Sequence, residues 1–303
     1  MKITAIKTFI VDGVFRPWTF VKVETDQDGL VGWGDCTDWG AAGPVAATVE
    51  RYAEWVVGRD PMQAEAIWWD LTASSVRHNG GIAYKAMSGI DSALWDIRGK
   101  VLGAPVWQLL GGKMRDRLRL YWTHCGSMRS RGHAAELGVE PIETLDDLSR
   151  FCDEIRDRGY TAIKTNLMEL KDLPGGGLPN WRSHAVGDCP PLIARRAAAI
   201  VGTLREGLGP DVGIALDVAF TFKLGGAIRL ARELEPYDLM WLETETFDPQ
   251  ALRTIRQSTS TPICTGESLF GQQQYRSFLE NYAQDIIMPD LAWNGITLGK
   301  YIR

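Results

Sequence analysis

The stretches GIALDVAF (residues 213–220), DLMWLETE (238–245), TPICTGES (261–268) and DIIMPDLAW (285–293) decide the fold. In each of them an apolar run of strand length precedes a polar or acidic residue. A segment with apolar residues at three- and four-residue spacing, as in an amphipathic helix, separates each stretch from the next. Strands that alternate with helices are typical of parallel sheets with right-handed crossovers. The pattern therefore predicts an α/β fold, either a closed (β/α) barrel or an open doubly wound sheet.

The same alternation extends upstream to residue 116. RLRLYWTH (117–124) and TAIKTNL (161–167) are predicted strands, and residues 145–158 and 193–207 are predicted helices. We therefore assign residues 116–303 to one domain with a repeating strand–helix order.

Residues 1–115 follow a different order. Residues 2–36 alternate as strands, with a predicted hairpin turn at Asp28-Gly29, and residues 44–110 switch to helical periodicity. Strands followed by a run of helices indicate a separate α+β domain, which we place at residues 1–115.

Composition excludes several classes of protein. The formal net charge of -5 argues against a nucleic-acid-binding surface. No apolar run approaches the roughly 18 residues of a membrane span, and the N-terminus is typical of a strand rather than a signal peptide. The five cysteines are scattered without a CxxC pair, which favours neither a zinc site nor a disulfide framework. A reducing, cytoplasmic location is the simplest expectation.

Four acidic residues follow the apolar runs of successive strands, at intervals of about one strand–helix unit: Asp217, Glu243, Glu267 and Asp290. Parallel strands present such residues at one end of the sheet, where the active sites of barrels lie. Carboxylates that are ionised close together need a counter-charge, and Mg²⁺ is a suitable one for oxygen ligands. The spacing favours a metal site over the alternative of ordinary solvated acids.

Lys164 and Asn166 share one face of the strand AIKTN because side chains alternate. A lysine that points into a pocket beside a cation is expected to have a lowered pKa, which suits a base or a partner for an oxyanion. The alternative is a solvated lysine at a strand end.

Three groups of motifs resemble the enolase superfamily, mandelate racemase subgroup. SGIDSALWDIRGKVLGAPVWQLLGG (88–112) is similar to the segment between its capping domain and barrel, and GLVGWGDC (29–36) is similar to its capping-domain hairpin. The strand ends LDV, WLE and TGES resemble its three metal-ligand strands.

The resemblance implies a modified (β/α) TIM barrel with an N-terminal α+β capping domain, and it extends over nearly the whole chain. It implies that Asp217, Glu243 and Glu267 bind Mg²⁺, and that the proton α to a substrate carboxylate is removed. Glu267 as the third ligand is similar to the mandelate racemase and acid-sugar dehydratase side of the superfamily. Assembly into a homo-oligomer is common in the family and is expected here.

The chain departs from the family pattern at several positions. Asn166 stands where many members have a second lysine, and Ala219 stands where galactonate-type dehydratases have a histidine. Glu243-Thr244-Glu245 replaces the usual EEP, which alters the surroundings of the second ligand. Asp290 matches the residue that orients a histidine base on the seventh strand. Because residue 303 follows so soon, we expect the barrel to be C-terminally incomplete in this chain, through truncation or because the chain continues.

Three further residues are candidates for substrate binding. His124 follows the first barrel strand, and Arg16 and Trp18 lie in the loop that caps the pocket in the family. Each has an ordinary alternative, a structural histidine or a surface side chain.

The function that we predict is Mg²⁺-dependent dehydration of an acid sugar, an aldonate or aldarate, to a 2-keto-3-deoxy acid. Lys164 and Asn166 would act in catalysis, and Asp290 would orient the base. The alternatives are a racemase, epimerase or cycloisomerase of the same superfamily, or a truncated, non-catalytic barrel.

Overall fold

The computed structural model describes residues 1–14, 16–78, 80–174 and 187–302. Its strands are β1 (Ile3–Asp12), β2 (Pro17–Thr25), β3 (Val31–Asp35), β4 (Ala162–Asn166), β5 (Gly213–Asp217), β6 (Trp241–Glu243), β7 (Ile263–Thr265) and β8 (Ile286–Ile287). Its helices are α1 (Ala42–Val56), α2 (Ala64–Ser74), α3 (Gly81–Leu102), α4 (Val106–Leu109), α5 (Ser127–Ser130), α6 (Leu145–Asp157), α7 (Pro191–Leu208), α8 (Leu224–Leu234), α9 (Pro249–Gln257), α10 (Gly271–Glu280) and α11 (Leu291–Ile302). In the part of the chain that the structure describes, no helix combines the length and apolarity needed to cross a membrane.

The chain divides into two compact units. Unit 1 contains residues 1–116, 267–276 and 289–303, and unit 2 contains residues 117–266 and 277–288. The domain boundary between residues 115 and 116 that the sequence predicts stays a prediction.

Unit 1 contains an antiparallel sheet of β1, β2 and β3 in that order, together with α1 to α4 and α11. The hairpin between β2 and β3 turns where the sequence predicts it, with Gly29 in the left-handed region at φ 71°. Gly32 and Gly34 let the backbone of α3 approach β3 closely. A Cβ atom on either glycine would lie 2.0 Å from a carbonyl oxygen of α3.

A buried carboxylate joins two helices of unit 1. Asp91, on α3, is 2% exposed and accepts hydrogen bonds from Thr297 of α11, 2.8 Å from the backbone N–H and 2.6 Å from the hydroxyl. Burial raises the pKa of Asp91 to about 6, although these hydrogen bonds oppose the rise.

Unit 2 is built on a parallel sheet of five strands in the order β4-β5-β6-β7-β8, with helices in the connections between them. The strand–helix alternation that the sequence predicts is confirmed. Local signals define the helix ends. Thr144 and Asp147 form a reciprocal capping box at the start of α6, and the carboxylate of Asp248 caps α9.

The prediction of a full strand over residues 117–124 is wrong. Of the described residues in this segment, only Trp122 pairs, in a parallel bridge with Ile163 of β4. The Trp122 N–H donates to the Ala162 carbonyl at 3.1 Å, and the Trp122 carbonyl accepts from the Lys164 N–H at 2.9 Å. Alternation shows which residues can form a strand, but not how many of them pair with a neighbouring strand.

Candidate active site

Hydrogen-bond register places four residues in one row across the parallel sheet of unit 2. Asn166 pairs with Asp217, Asp217 with Glu243, and Glu243 with Cys264. Paired residues on parallel strands project to the same side, so two of the predicted metal ligands come from adjacent positions. The prediction that neighbouring strands present acids at one end is confirmed for Asp217 and Glu243. Burial raises the pKa of the Cys264 thiol above its ordinary value, and the Glu243 carboxylate adds to that rise.

A buried ion pair joins Glu243 of this row to Lys164, which lies two residues before Asn166 on β4. Lys164 Nζ is 2.8 and 3.1 Å from the two carboxylate oxygens of Glu243, and the two side chains are only 8% and 1% exposed. Burial alone would lower the pKa of Lys164. The attraction of Glu243 and then Asp217 outweighs burial and raises the pKa above its ordinary value.

The lowered Lys164 pKa that is expected beside a cation differs from this direction, and for the cation-bound site it stays a prediction. Sequence reasoning considered a cation beside the lysine, but the structure places two carboxylates there. An ammonium group in this position stays charged at neutral pH.

Asn166 connects two candidate residues through its amide. Its Nδ2 donates to Asp217, 3.0 Å from Oδ2 and 3.1 Å from the backbone carbonyl. Its Oδ1 lies 2.9 Å from His124 Nδ1 and accepts a hydrogen bond from the Ser127 hydroxyl at 3.1 Å. The amide therefore holds both the imidazole and the Asp217 carboxylate in fixed orientations.

His124 is neutral in this setting. Burial is the main cause that lowers the pKa of His124, although the Asn166 hydrogen bond opposes it. Because Asn166 Oδ1 can only accept, the neutral ring carries its proton on Nδ1, and Nε2 is the basic nitrogen. His124 adopts φ 50°, in the left-handed region, and such strain is typical of functional positions.

Asp217 is also held by the backbone that follows it. Its Oδ1 accepts from the N–H of Ala219 at 2.9 Å, and Ala219 has a positive φ of 42°. Ala219 thus orients a predicted metal ligand through its main chain, a role that the side-chain pattern does not indicate.

The remaining candidates lie in unit 1. The Arg16 guanidinium lies 4.7 Å from the ring centroid of Trp18 and 5.2 Å from that of Trp39. Trp39 is not among the residues that the sequence predicts for the site. Its position in the polar loop after β3 was the available signal.

Asp290 caps the start of α11, accepting from Trp293 N–H at 3.2 Å on Oδ1 and from Asn294 N–H at 3.0 Å on its carbonyl. Burial raises the pKa of Asp290 above its ordinary value. Its predicted role in orienting a base stays a prediction.

The donor set bears on the predicted metal site. Asp217 and Glu243 supply hard carboxylate oxygens in adjacent positions, and such donors suit Mg²⁺. Across residues 1–14, 16–78, 80–174 and 187–302, no three His, Cys, Asp or Glu side chains form a cluster close enough for a metal ion. The three-ligand set with Glu267, which lies in unit 1, stays a prediction.

Two family models match the chain. The model described as "Enolase C-terminal domain-like" matches residues 147–302. The model described as "Mandelate racemase / muconate lactonizing enzyme, N-terminal domain" matches residues 12–111.

A curated relative with 37% identity over 298 residues is the D-xylonate dehydratase of Haloferax volcanii. The match covers 96% of this chain and 66% of the relative, so the chain spans just under two thirds of that relative's length.

Solved structures are also similar over almost the whole chain. A candidate L-alanine-DL-glutamate epimerase from Burkholderia xenovorans strain LB400, solved with magnesium and fumarate, has a TM-score of 0.92 and 32% identity, covering 99% of this chain and 75% of its own. A mandelate racemase/muconate lactonizing enzyme-like protein from Rubrobacter xylanophilus has a TM-score of 0.84 and 31% identity, covering 99% and 75%. These similarities confirm the predicted modified (β/α) TIM barrel with an N-terminal capping domain.

Proposed function

Because the chain belongs to the mandelate racemase/muconate lactonizing enzyme family, we propose that it catalyses the Mg²⁺-dependent dehydration of an acid sugar. The α-proton of the substrate carboxylate is removed, the β-hydroxyl leaves as water, and the product is a 2-keto-3-deoxy acid. The relative named D-xylonate dehydratase supports an aldonate as the first substrate to test.

The observation that carries the proposal is the row of Asn166, Asp217 and Glu243 with the Lys164 ammonium beside it. The carboxylates of Asp217 and Glu243, from adjacent strands, both attract the Lys164 ammonium, and Asp217 also interacts with the Arg131 guanidinium. Two carboxylates in adjacent positions at this end of the strands are donors suited to a hard divalent cation.

Asp217, Glu243 and Glu267 are the residues that would hold Mg²⁺. When bound, a divalent cation supplies positive charge that favours the negative charge formed as the α-proton leaves. Lys164 fixes the orientation of the Glu243 carboxylate and contributes its own positive charge to the same region.

His124 is the candidate for a substrate contact, and it is joined to Asp217 through the Asn166 amide. Its Nδ1 proton is directed to Asn166, so Nε2 is the nitrogen able to accept a hydrogen bond from a substrate hydroxyl. Arg16, stacked between two tryptophan rings, presents a guanidinium suited to a distal carboxylate or polyol. Both substrate contacts are part of the proposal.

The experiment is incubation of the purified protein with a set of aldonates and aldarates, D-xylonate first, with Mg²⁺ or with EDTA. We expect 2-keto-3-deoxy acid to form only with Mg²⁺. Lys164→Met should abolish product formation, and Lys171→Met, which changes an exposed lysine of the same unit, should not. Full turnover in EDTA would contradict metal dependence.

Epimerisation is the second candidate, because a similar structure is that of a candidate epimerase. Both reactions begin with removal of the same proton, so the substrate set should also be incubated in D₂O and followed by NMR. Deuterium at the α-carbon without keto-acid formation would favour the racemase or epimerase. Absence of both exchange and product across the set would favour a non-catalytic barrel.

A further inference from the structure

The proposed reaction needs a base for the α-proton, and the residues placed so far leave that base unassigned. An imidazole, that of His124, lies beside the last residues of β4 and β5, which are Asn166 and Asp217. The N–H of the next residue, Cys125, donates to the carbonyl of Lys164 on β4 at 2.9 Å. All of these residues belong to unit 2, and barrels have their active sites at this end of the strands.

The backbone around His124 is fixed in an uncommon conformation. His124 has φ 50°, and its carbonyl accepts from both the N–H and the hydroxyl of Ser127, each at 3.1 Å. The Thr165 hydroxyl of β4 donates to the carbonyl of Cys125 at 2.7 Å. A left-handed φ outside glycine persists only where the surroundings impose it, and such positions are concentrated at functional sites.

A carboxylate, an amide and an imidazole form a chain of hydrogen bonds. Asp217 Oδ2 accepts from Asn166 Nδ2 at 3.0 Å, and Asn166 Oδ1 lies 2.9 Å from His124 Nδ1. The carboxylate can only accept, so the amide oxygen faces the ring, and Nε2 carries the lone pair of the neutral imidazole. A base that is oriented by a further group is the arrangement expected for proton transfer.

The surroundings of this imidazole suit a base. Burial is the main cause that lowers the pKa of His124, and the charges of Lys164 and Arg131 act in the same direction, whereas Asn166 and Asp217 oppose them. A neutral imidazole can accept a proton at neutral pH without first losing one. Once the ring is an imidazolium, the amide that donates to Asp217 is polarised toward its oxygen and binds Nδ1–H more strongly.

We propose that His124 is the catalytic base of the reaction and removes the α-proton through Nε2. This inference rests on the proposed function and names the group that performs its first step. The bond between the α-carbon and hydrogen breaks, its electron pair stays on the substrate as an enediolate, and the proton goes to Nε2. The departing β-hydroxyl takes that proton and leaves as water. The electron pair then forms the double bond between the α- and β-carbons, and the enol tautomerises to the 2-keto-3-deoxy acid.

The test is steady-state kinetics of the whole chain with D-xylonate and Mg²⁺, extended to the aldonate and aldarate set. His124→Asn removes the basic nitrogen. Asparagine adopts a left-handed φ more readily than most residues, and its Nδ2 can still donate to Asn166. We expect kcat to fall about 100- to 10,000-fold, which is the usual contribution of a general base. A residue that only binds substrate would change KM instead.

A second variant tests the basic nitrogen directly. His124→Gly tolerates φ 50° and leaves space for a small base, so added imidazole should restore part of the lost turnover. The matched control is His133→Asn, which changes another histidine of unit 2 whose Nδ1 lies 2.8 Å from Glu136 and whose side chain is 39% exposed. It should leave kcat unchanged.

The outcomes separate the inference from the proposed function. A normal kcat in His124→Asn means that the base lies elsewhere, and a loss confined to KM means that His124 only binds. His124→Gly without rescue by imidazole, or an equal loss in His133→Asn, also overturns the inference, and His124→Gly decides alone if His124→Asn does not fold by circular dichroism. If the unmodified chain forms no product and exchanges no α-proton in D₂O with any member of the set, the proposed function itself fails.

Discussion

Replacing Lys164 by methionine tests how much the buried ion pair with Glu243 stabilises the fold, and whether a divalent cation can replace the lost ammonium. The change keeps an unbranched side chain of similar length but removes the ammonium that contacts both oxygens of Glu243 at 2.8 and 3.1 Å. Removing one partner of a buried pair leaves a desolvated charge, which costs about 3–5 kcal/mol. Glu243 is 1% exposed, so water cannot replace the lost partner without rearrangement.

The matched control is Lys171→Met. Lys171 pairs with Glu143 at 2.6 Å, but the side chains are 70% and 48% exposed. Exposed pairs contribute about 0–1 kcal/mol, so this variant should be almost as stable as the unmodified chain.

The assay is urea unfolding followed by circular dichroism, in EDTA and again in Mg²⁺. Equal m values would show that the loss is one of stability. A ligand that binds only the folded chain at 100 times its Kd adds about 2.7 kcal/mol. Because a divalent cation can replace part of the missing positive charge, Mg²⁺ should stabilise Lys164→Met more than the unmodified chain. A loss in EDTA below about 1 kcal/mol, equal to that of Lys171→Met, would refute this reasoning.

Three further predictions concern pH, the amide bridge and the capping sheet. Burial raises the pKa of Asp91 to about 6 from 3.8, so its ionisation opposes folding; the stability present below pH 3.8 falls by about 3 kcal/mol as the pH rises through 6. Asp91→Asn should flatten that part of the pH profile of urea unfolding, and an unchanged slope between pH 4 and 7 would contradict the assignment. Asn166→Ala should lower kcat for dehydration of the acid sugar by about 10- to 100-fold, since it releases the imidazole of His124. A normal kcat in steady-state kinetics would exclude a catalytic role for the hydrogen bond between Asn166 and His124. Gly34→Ala would place a Cβ 2.0 Å from a carbonyl of α3 and should destabilise by about 1–3 kcal/mol in thermal unfolding. Gly43→Ala, with no atom within 4 Å in α1, should be neutral or up to about 1 kcal/mol stabilising, so equal losses would rule out a steric cause.

Prediction from sequence was most accurate where the signal lies within one segment. The strands of unit 2 appear where apolar runs end in Asp217 and Glu243, and the hairpin turns at Gly29 as expected. Hydrophobic periodicity and turn residues act over a few positions, so a single chain displays them directly.

Prediction was weaker where pairing or packing joins residues that are distant along the chain. The first barrel strand is reduced to one bridge at Trp122, and how far it pairs depends on β4, which lies far along the chain. Trp39 could be placed in a loop, but its stacking on Arg16 depends on a hairpin that begins more than twenty residues earlier.

The sequence by itself determined the order of strands and helices and the strand ends at which acids stand. Only the tertiary structure decided the charge state of the site. The Lys164 pKa rises because residues 53 and 79 positions away, Asp217 and Glu243, are brought against its ammonium. Periodicity is a property of neighbouring residues along the chain, whereas electrostatic interaction depends on distance and burial in space, which folding alone sets.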